Sequence, residues 1–114
     1  MTYMMLINLG PAARDWQSLP EDERAKVAAA WQEFNQTPGI TPGNRLQPPE
    51  TATTVRVHDG RTLTTDGPFV ETKEALDGYF ILEADNLDAA IEVAARVPAA
   101  SAGGAIEVRP IVEW

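Results

Sequence analysis

Acid–base chemistry in this sequence would have to come from one histidine and the carboxylates. His58 is the only histidine, and imidazole titrates at about pH 6.5, where a general base is useful. It precedes Asp59-Gly60, a pair typical of tight hairpin turns. We therefore expect an exposed side chain rather than a base held against a substrate. There is no cysteine, and the carboxylates do not follow a calcium-loop pattern, so we predict no catalytic residue, no metal site and no cofactor.

Four polar residues are instead candidates for contact with a small ligand. Asn8 stands near the end of an apolar run, where its amide either lines a cavity or caps the turn that follows. Asp66 opens the motif Asp-Gly-Pro-Phe, where it either rims a pocket or accepts a backbone hydrogen bond that fixes the turn. Lys73 offers a point charge for an anion or belongs to a solvated run of charges. Tyr79 joins an apolar ring to a hydroxyl, which suits a pocket and a core equally.

Composition and charge restrict the classes of protein to which the chain can belong. Its 114 residues fit a single domain, residues 1–114, and an apolar fraction of 44% is too high for a disordered tail. Nine basic residues against 17 acidic ones give a net charge of -8. The basic residues are scattered, which argues against direct binding to nucleic acid. No apolar stretch approaches the ~20 residues of a membrane span, so we predict a cytoplasmic protein with no membrane partner.

The first part of the chain predicts a strand followed by a helix. Residues Tyr3–Leu9 are mostly large and apolar and end at Gly10-Pro11, which is typical of a buried strand. Ser18 and Glu21 then have the spacing of a capping box at the start of a helix. One apolar stripe follows at helical spacing, formed by Val27, Trp31 and Phe34. We expect this stripe to pack against a sheet.

A hairpin is predicted over residues 53–65, around Asp59-Gly60. A two-residue loop would pair Arg56 with Leu63, whereas a three-residue loop would pair Val55 with Leu63. The second register places two apolar side chains on the same face of the hairpin. We therefore favour a type I turn with a bulge at the glycine.

The remaining elements complete a recognisable order. A stretch rich in proline and glycine allows a short edge strand at 44–47, and Tyr79–Leu82 predicts a second buried strand. Asp85-Asn86 supplies the cap of a second helix. The predicted apolar stripe of this helix consists of Leu87, Ile91, Ala94 and Val97. Ala105–Arg109 alternates as a final strand, so the order is β-α-β-β-α-β with an inserted hairpin.

This order predicts a two-layer α+β domain, with two helices on one face of an antiparallel sheet. The other face needs cover, and a second copy of the chain is the simplest cover. We therefore predict a homodimer in which the two sheets face each other. We expect Trp114 to be buried against the partner, because aromatic residues are enriched at interfaces.

A series of short motifs resembles a known family. In chain order they are Thr53-Thr54-Val55-Arg56, Asp59-Gly60, Thr65-Asp66-Gly67-Pro68-Phe69, Glu71-Thr72-Lys73-Glu74, Gly78-Tyr79, Leu87-Asp88-Ala89-Ala90 and Val108-Arg109-Pro110. The series resembles the DGPF-domain branch of the YCII-related family, and the resemblance spans nearly the whole chain. It implies a ferredoxin-like α+β fold that dimerises into an α/β barrel.

The resemblance also implies two kinds of function. Some DGPF proteins resemble partners or neighbours of extracytoplasmic-function sigma factors, which implies a role in transcription initiation. Other relatives of the fold are small enzymes acting on lactone-type rings, with a histidine and an aspartate as an acid–base pair that is not evident here. We expect a dimeric small-molecule-binding or regulatory protein, with a sigma factor as its candidate protein partner. The alternatives are a cofactor-free isomerase, dehalogenase or lyase acting in the barrel pocket, and a structural module without a pocket.

Overall fold

The computed structural model describes residues 1–10, 18–67 and 76–114. Lys73, a predicted ligand contact, lies outside the described residues. In chain order, the elements are β1 (Thr2–Asn8), α1 (Glu21–Asn35), β2 (Ile40–Arg45), a 3-10 turn (Pro49–Thr51), β3 (Thr53–His58), β4 (Arg61–Asp66), β5 (Gly78–Glu83), α2 (Leu87–Ala95), α3 (Pro98–Ser101) and β6 (Ala105–Pro110). The predicted α+β class is confirmed. None of the described helices is long and apolar enough to cross a membrane.

Four strands form an antiparallel sheet in the order β2-β5-β1-β6. The central strand β1 pairs with β5 on one side, where Met5 stands opposite Phe80, and with β6 on the other, where Met5 stands opposite Val108. If only these four strands are counted, from first to fourth along the chain, their order across the sheet is 2-3-1-4. This order is compatible with a ferredoxin-like fold. The edge strand β2 begins at Ile40, earlier than the predicted edge strand at 44–47.

The hydrophobic core lies on one face of this sheet. Tyr3, Met5 and Ile7 of β1 alternate toward that face and are buried, as are Phe80 and Leu82 of β5. All three described helices contribute buried residues to the same core, which are Phe34, Ala90, Ala94 and Ala99. Burying a large apolar side chain contributes about 1.5–3 kcal/mol. Packing on this one face therefore sets the position of the helices.

Helix α1 packs its aromatic residues against the sheet as predicted, but it begins later than the capping box implies. Pro20 occupies the N-cap without a side-chain capping bond, so Glu21 is the first helical residue rather than the third. The ring of Phe34 meets Phe80 edge-on with centroids 5.4 Å apart, and Trp31 meets Phe34 edge-on at 6.1 Å. This chain of edge-to-face contacts anchors the end of α1.

Helix α2 has the predicted cap and half of the predicted buried stripe. Oδ1 of Asn86 accepts a hydrogen bond of 2.9 Å from the amide three residues further on. Ala94 and Val97 are buried as predicted, whereas Leu87 and Ile91 are exposed and Ala90 is buried instead. Ala90 has too little apolar surface to mark a buried position in a sequence, so a stripe drawn through the larger Leu87 and Ile91 misplaces the first part of the buried side.

Strands β3 and β4 form a separate two-stranded sheet with a two-residue loop, so the predicted bulged register is wrong. Arg56 pairs with Leu63. Asp59 and Gly60 both have positive φ, 49° and 73°, as in the type I′ turn whose twist matches that of paired strands. Both faces of the hairpin are exposed, and Val57 is 70% exposed. Because no apolar face is buried here, turn geometry rather than burial determines the register.

The face of the main sheet opposite the core also carries apolar side chains. Met4 and Leu6 of β1 stand opposite Ile81 and Tyr79 of β5, and all four are partly exposed. Strand alternation places Asn8 on this same face. We call the surface formed by Met4, Leu6, Tyr79 and Ile81 the open sheet face.

Candidate functional site

A cavity of about 480 Å³ lies between helix α1, helix α3 and the adjoining ends of strands β1, β2 and β5. Its apolar lining consists of Ile7, Leu9, Leu19, Val27, Ala30, Trp31, Pro42, Phe80, Pro98, Ala99 and Ala102. Its polar lining comes from Lys26, Asn35, Asn44, Arg45, Asp77 and Tyr79. Small-molecule sites typically have volumes of roughly 300–1,000 Å³ and combine apolar walls with a few polar groups. The cavity has both properties.

Strand β2 borders the cavity through a local irregularity. The register with β5 shifts between Thr41 and Asn44. Gly43 lies in this shift, where a Cβ atom would overlap the carbonyl oxygen of Tyr79. The side-chain amide of Asn44 donates a hydrogen bond of 3.0 Å to the hydroxyl of Tyr79. Glycine therefore lets β2 approach β5 closely at the cavity wall, and Asn44 orients the tyrosine hydroxyl.

Asp77 is a buried carboxylate on the cavity wall, with 6% of its surface exposed. Its Oδ2 accepts a hydrogen bond of 2.8 Å from the amide of Leu9. Its own amide donates to the carbonyl of Ile7 at 2.8 Å, and its carbonyl accepts from the amide of Leu46 at 2.7 Å. Asp77 thus joins the ends of β1 and β2 at the start of β5 and also presents an acidic group to the cavity.

Basic residues outnumber acidic ones in the described wall of the cavity. Lys26 and Arg45 face a single acid, Asp77, although the whole chain carries a net charge of -8. Lys26 is paired only loosely: its Nζ lies 3.9 Å from Oε1 of Glu23, and both side chains are more than half exposed. The described lining therefore contains one more basic than acidic residue, in a protein whose net charge is negative. In the described ranges, no group of three or more histidine, aspartate or glutamate side chains is placed to hold a metal ion.

Comparison with known proteins identifies the family. The sequence model of the YCII-related domain matches residues 1–114. The chain belongs to the YCII-related family. A curated relative, an uncharacterised protein of Rhizobium meliloti strain 1021, is 33% identical over 114 residues, which cover 97% of this chain and 92% of the relative. Because this relative is itself uncharacterised, it supports the family assignment but gives no information about the activity of this chain. Membership of the DGPF branch stays a prediction.

The structure separates the predicted ligand contacts of this YCII-related chain. Tyr79 borders the cavity, although its pairing with Leu6 places its ring on the open sheet face. Asn8 is paired with Ala105 on that same face and is not part of the described cavity lining. Asp66 is exposed at the end of β4 on the hairpin. Lys73 lies outside the described residues, and a ligand contact at any of these four positions stays a prediction.

Sequence reasoning missed all three charged residues on the described cavity wall of this YCII-related chain, which are Lys26, Arg45 and Asp77. Lys26 flanks Val27 and Trp31 on α1, so helical spacing from the recognised stripe could have placed it at the edge of the same face. Asp77 gave no comparable signal, because its side-chain partner Leu9 is 68 positions away in the sequence. In the sequence, Asp77 precedes a glycine at the start of a strand, and an aspartate in this position is typical of an ordinary turn.

Proposed function

We propose that this chain is a homodimeric small-molecule-binding protein whose ligand occupies the cavity beside α1. The observation that carries the proposal is the space of about 480 Å³ between α1 and the strand ends. The space lies against the core and opens to solvent, so a molecule of matching size can enter it and cover the apolar wall. Trp31 and Phe80 would contact an apolar part of the ligand, and the polar wall residues would orient the rest.

The open sheet face and the hairpin support assembly with a second copy. A sheet covered by helices on one face leaves apolar side chains, here Met4, Leu6 and Ile81, partly exposed on the other. A two-stranded hairpin is at best marginally stable alone in water, yet Val55 and Val57 are exposed on this one. A two-fold dimer is self-complementary and would cover both surfaces at once. The α/β barrel formed by two facing sheets is the assembly that we propose.

Native mass spectrometry of protein purified without added ligand tests the binding function and the dimer together. We expect a dimer that carries a small-molecule adduct. The variant Ala30→Phe places a bulky ring on the cavity wall and should lose the adduct. Ala29→Phe is the matched control, because Ala29 is exposed on the same helix and is not among the described wall residues. A monomer contradicts the assembly. Wild-type protein that carries no adduct and binds nothing in a metabolite panel contradicts the binding function.

A second candidate function, a small cofactor-free enzyme, is favoured by the buried carboxylate of Asp77 on the cavity wall. A carboxylate in such a place can act as a general base, for the proton transfers of an isomerase, dehalogenase or lyase. Incubating the retained ligand with the protein and following its conversion tests this function. Asp77→Asn should then bind the ligand without converting it, because the amide keeps an oxygen for Leu9 but loses the basic group.

A regulatory role with an extracytoplasmic-function sigma factor is proposed on the family resemblance alone. Affinity capture on the tagged homodimer, with and without its retained ligand, tests this role. Enrichment of a sigma factor that changes when the ligand is removed is the expected result. If Ala30→Phe and wild-type protein capture the sigma factor equally, binding of this partner does not depend on the cavity.

A further inference from the structure

We infer that the ligand of the cavity is an anionic amphiphile, a monocarboxylate with a largely apolar body, whose carboxylate is held at the cavity mouth by Lys26. This inference rests on the proposed binding function and adds the chemical class of the ligand. It is carried by the placement of one cation beside an apolar cavity in a strongly acidic chain.

The wall divides into an apolar interior and a basic rim. Val27 and Trp31 on α1 and Phe80 on β5 supply apolar surface, while Lys26, on the same helix, lines the cavity with a side chain that is 75% exposed. A lysine that lines a cavity and remains so exposed must lie at its mouth. A ligand whose apolar body lies inside the cavity and whose charged group lies at the rim keeps its charge hydrated while its apolar surface is removed from water.

The sign of the ligand charge follows from the groups that face the cavity. Among the described residues, the ion pair of Lys26 is the 3.9 Å contact with Glu23, which a stronger partner can replace. Arg45 already has an interaction of its own, so the inference does not depend on it. The carboxylate of Asp77 is buried and accepts a hydrogen bond from the Leu9 amide. It would repel a second carboxylate placed deep in the cavity, which again directs the acidic group of the ligand to the rim.

The experiment compares octanoate with octanamide, two probes of equal length that differ in charge, by isothermal titration calorimetry. We expect wild-type protein to bind octanoate about twofold to fivefold more tightly than octanamide, as for an exposed ion pair. Lys26→Gln should abolish this preference and Lys26→Glu should reverse it, with octanamide affinity unchanged in both variants. Arg96→Gln is the control, because it removes an exposed positive charge from outside the described wall.

Each outcome has a separate meaning. If both probes bind equally, and neither Lys26→Gln nor Lys26→Glu changes the affinity for octanoate, the anionic class is wrong while the binding function stands. If neither probe binds wild-type protein but another compound binds and is blocked by Ala30→Phe, the class is again wrong. If nothing binds at all, the proposed function fails and this inference fails with it. If Arg96→Gln weakens octanoate as much as Lys26→Gln does, the preference reflects net charge and not the rim, and the role of Lys26 is overturned.

Discussion

The amide of Leu9 donates a hydrogen bond of 2.8 Å to Oδ2 of Asp77, a residue 68 positions away in the sequence. The bond joins the segment after β1 to the segment before β5, where both border the cavity. Asp77 is buried, so its side chain has lost most of its contact with water. The Leu9 amide is itself partly buried, so removing its acceptor costs free energy to the extent that water cannot replace the bond.

We expect Asp77→Ala to lower the free energy of unfolding by about 1–3 kcal/mol, the usual penalty for an unsatisfied buried donor. Asp77→Asn should lower it less, because its side-chain oxygen can still accept from Leu9. Urea denaturation of the three proteins measures both effects. Glu92→Ala, an exposed change on α2, is the control and should stay within about 0.5 kcal/mol of wild type. Equal stabilities of Asp77→Ala and wild type would show that the Leu9 bond contributes nothing.

Gly43 should tolerate no side chain. A Cβ atom there would overlap the carbonyl oxygen of Tyr79, and because that atom belongs to the backbone of β5, only a shift of the whole edge strand could relieve the overlap. We expect Gly43→Ala to destabilise the protein by more than about 1 kcal/mol and to lower the melting temperature measured by circular dichroism. Thr41→Ala, an exposed change on the same strand, should have little effect. Equal melting temperatures for the two variants would contradict the close approach of β2 to β5.

The contact between Glu83 and the α-amino group of Met1 should make stability depend on pH. The amine donates to Oε1 of Glu83 at 2.8 Å, and the hydroxyl of Thr2 donates to Oε2 at 2.6 Å. The bond from the amine, followed by that from Thr2, lowers the pKa of Glu83 from its ordinary value of 4.5. The bond to Glu83 raises the pKa of the amine above 8.0.

A lowered carboxyl pKa gives stability that is complete above pH 4.5 and is lost as the pH falls through the lower, folded-state value. A raised amine pKa gives stability that is complete below pH 8.0 and is lost as the pH rises through the folded-state value. The difference in melting temperature between wild type and Glu83→Gln should therefore be largest between these limits and should shrink on both sides. Glu92→Gln serves as the control. A difference that stays constant with pH would contradict the ion pair.

Ile81 on the open sheet face tests the proposed dimer. If two copies pair through this face, Ile81→Glu should yield a monomer, because a charge buried between two sheets loses its hydration without gaining a partner. Light scattering after gel filtration measures the mass, and circular dichroism confirms that the variant is folded. Leu87→Glu makes the same chemical change at an exposed position of α2 and should remain dimeric. A dimeric Ile81→Glu variant would mean that the sheets do not face each other.

Local signals in the sequence were sufficient for most of the fold. The cap at Asn86, the aromatic stripe of α1 and the order of strands and helices along the chain all depend on residues near one another in the sequence, and the structure contains them. The predicted hairpin register is wrong because it relies on burial of Val55 and Leu63, whereas Asp59 and Gly60 determine the register through their positive φ.

The cavity could not be predicted in the same way. Its wall combines residues from five elements, and Asp77 owes its position to backbone bonds with Ile7 and Leu46, which are distant in sequence. Lys26 could have been included from helical spacing, but its neighbours Val27 and Trp31 were interpreted as core residues. Both are only partly buried, because they line the cavity. An apolar stripe alone does not distinguish a packed core from the wall of a binding site.

Strand β1 is synthesised before both of the strands with which it pairs. Its hydrogen-bonding partners, β5 and β6, come from residues 78–110, and translation proceeds from the amino terminus. The apolar strand therefore leaves the ribosome before either of its partners has been synthesised, whereas both strands of the β3–β4 hairpin emerge close together. A nascent chain that has reached only the hairpin exposes an unpaired apolar strand, the kind of segment that chaperones bind, until the second half of the protein arrives to enclose it.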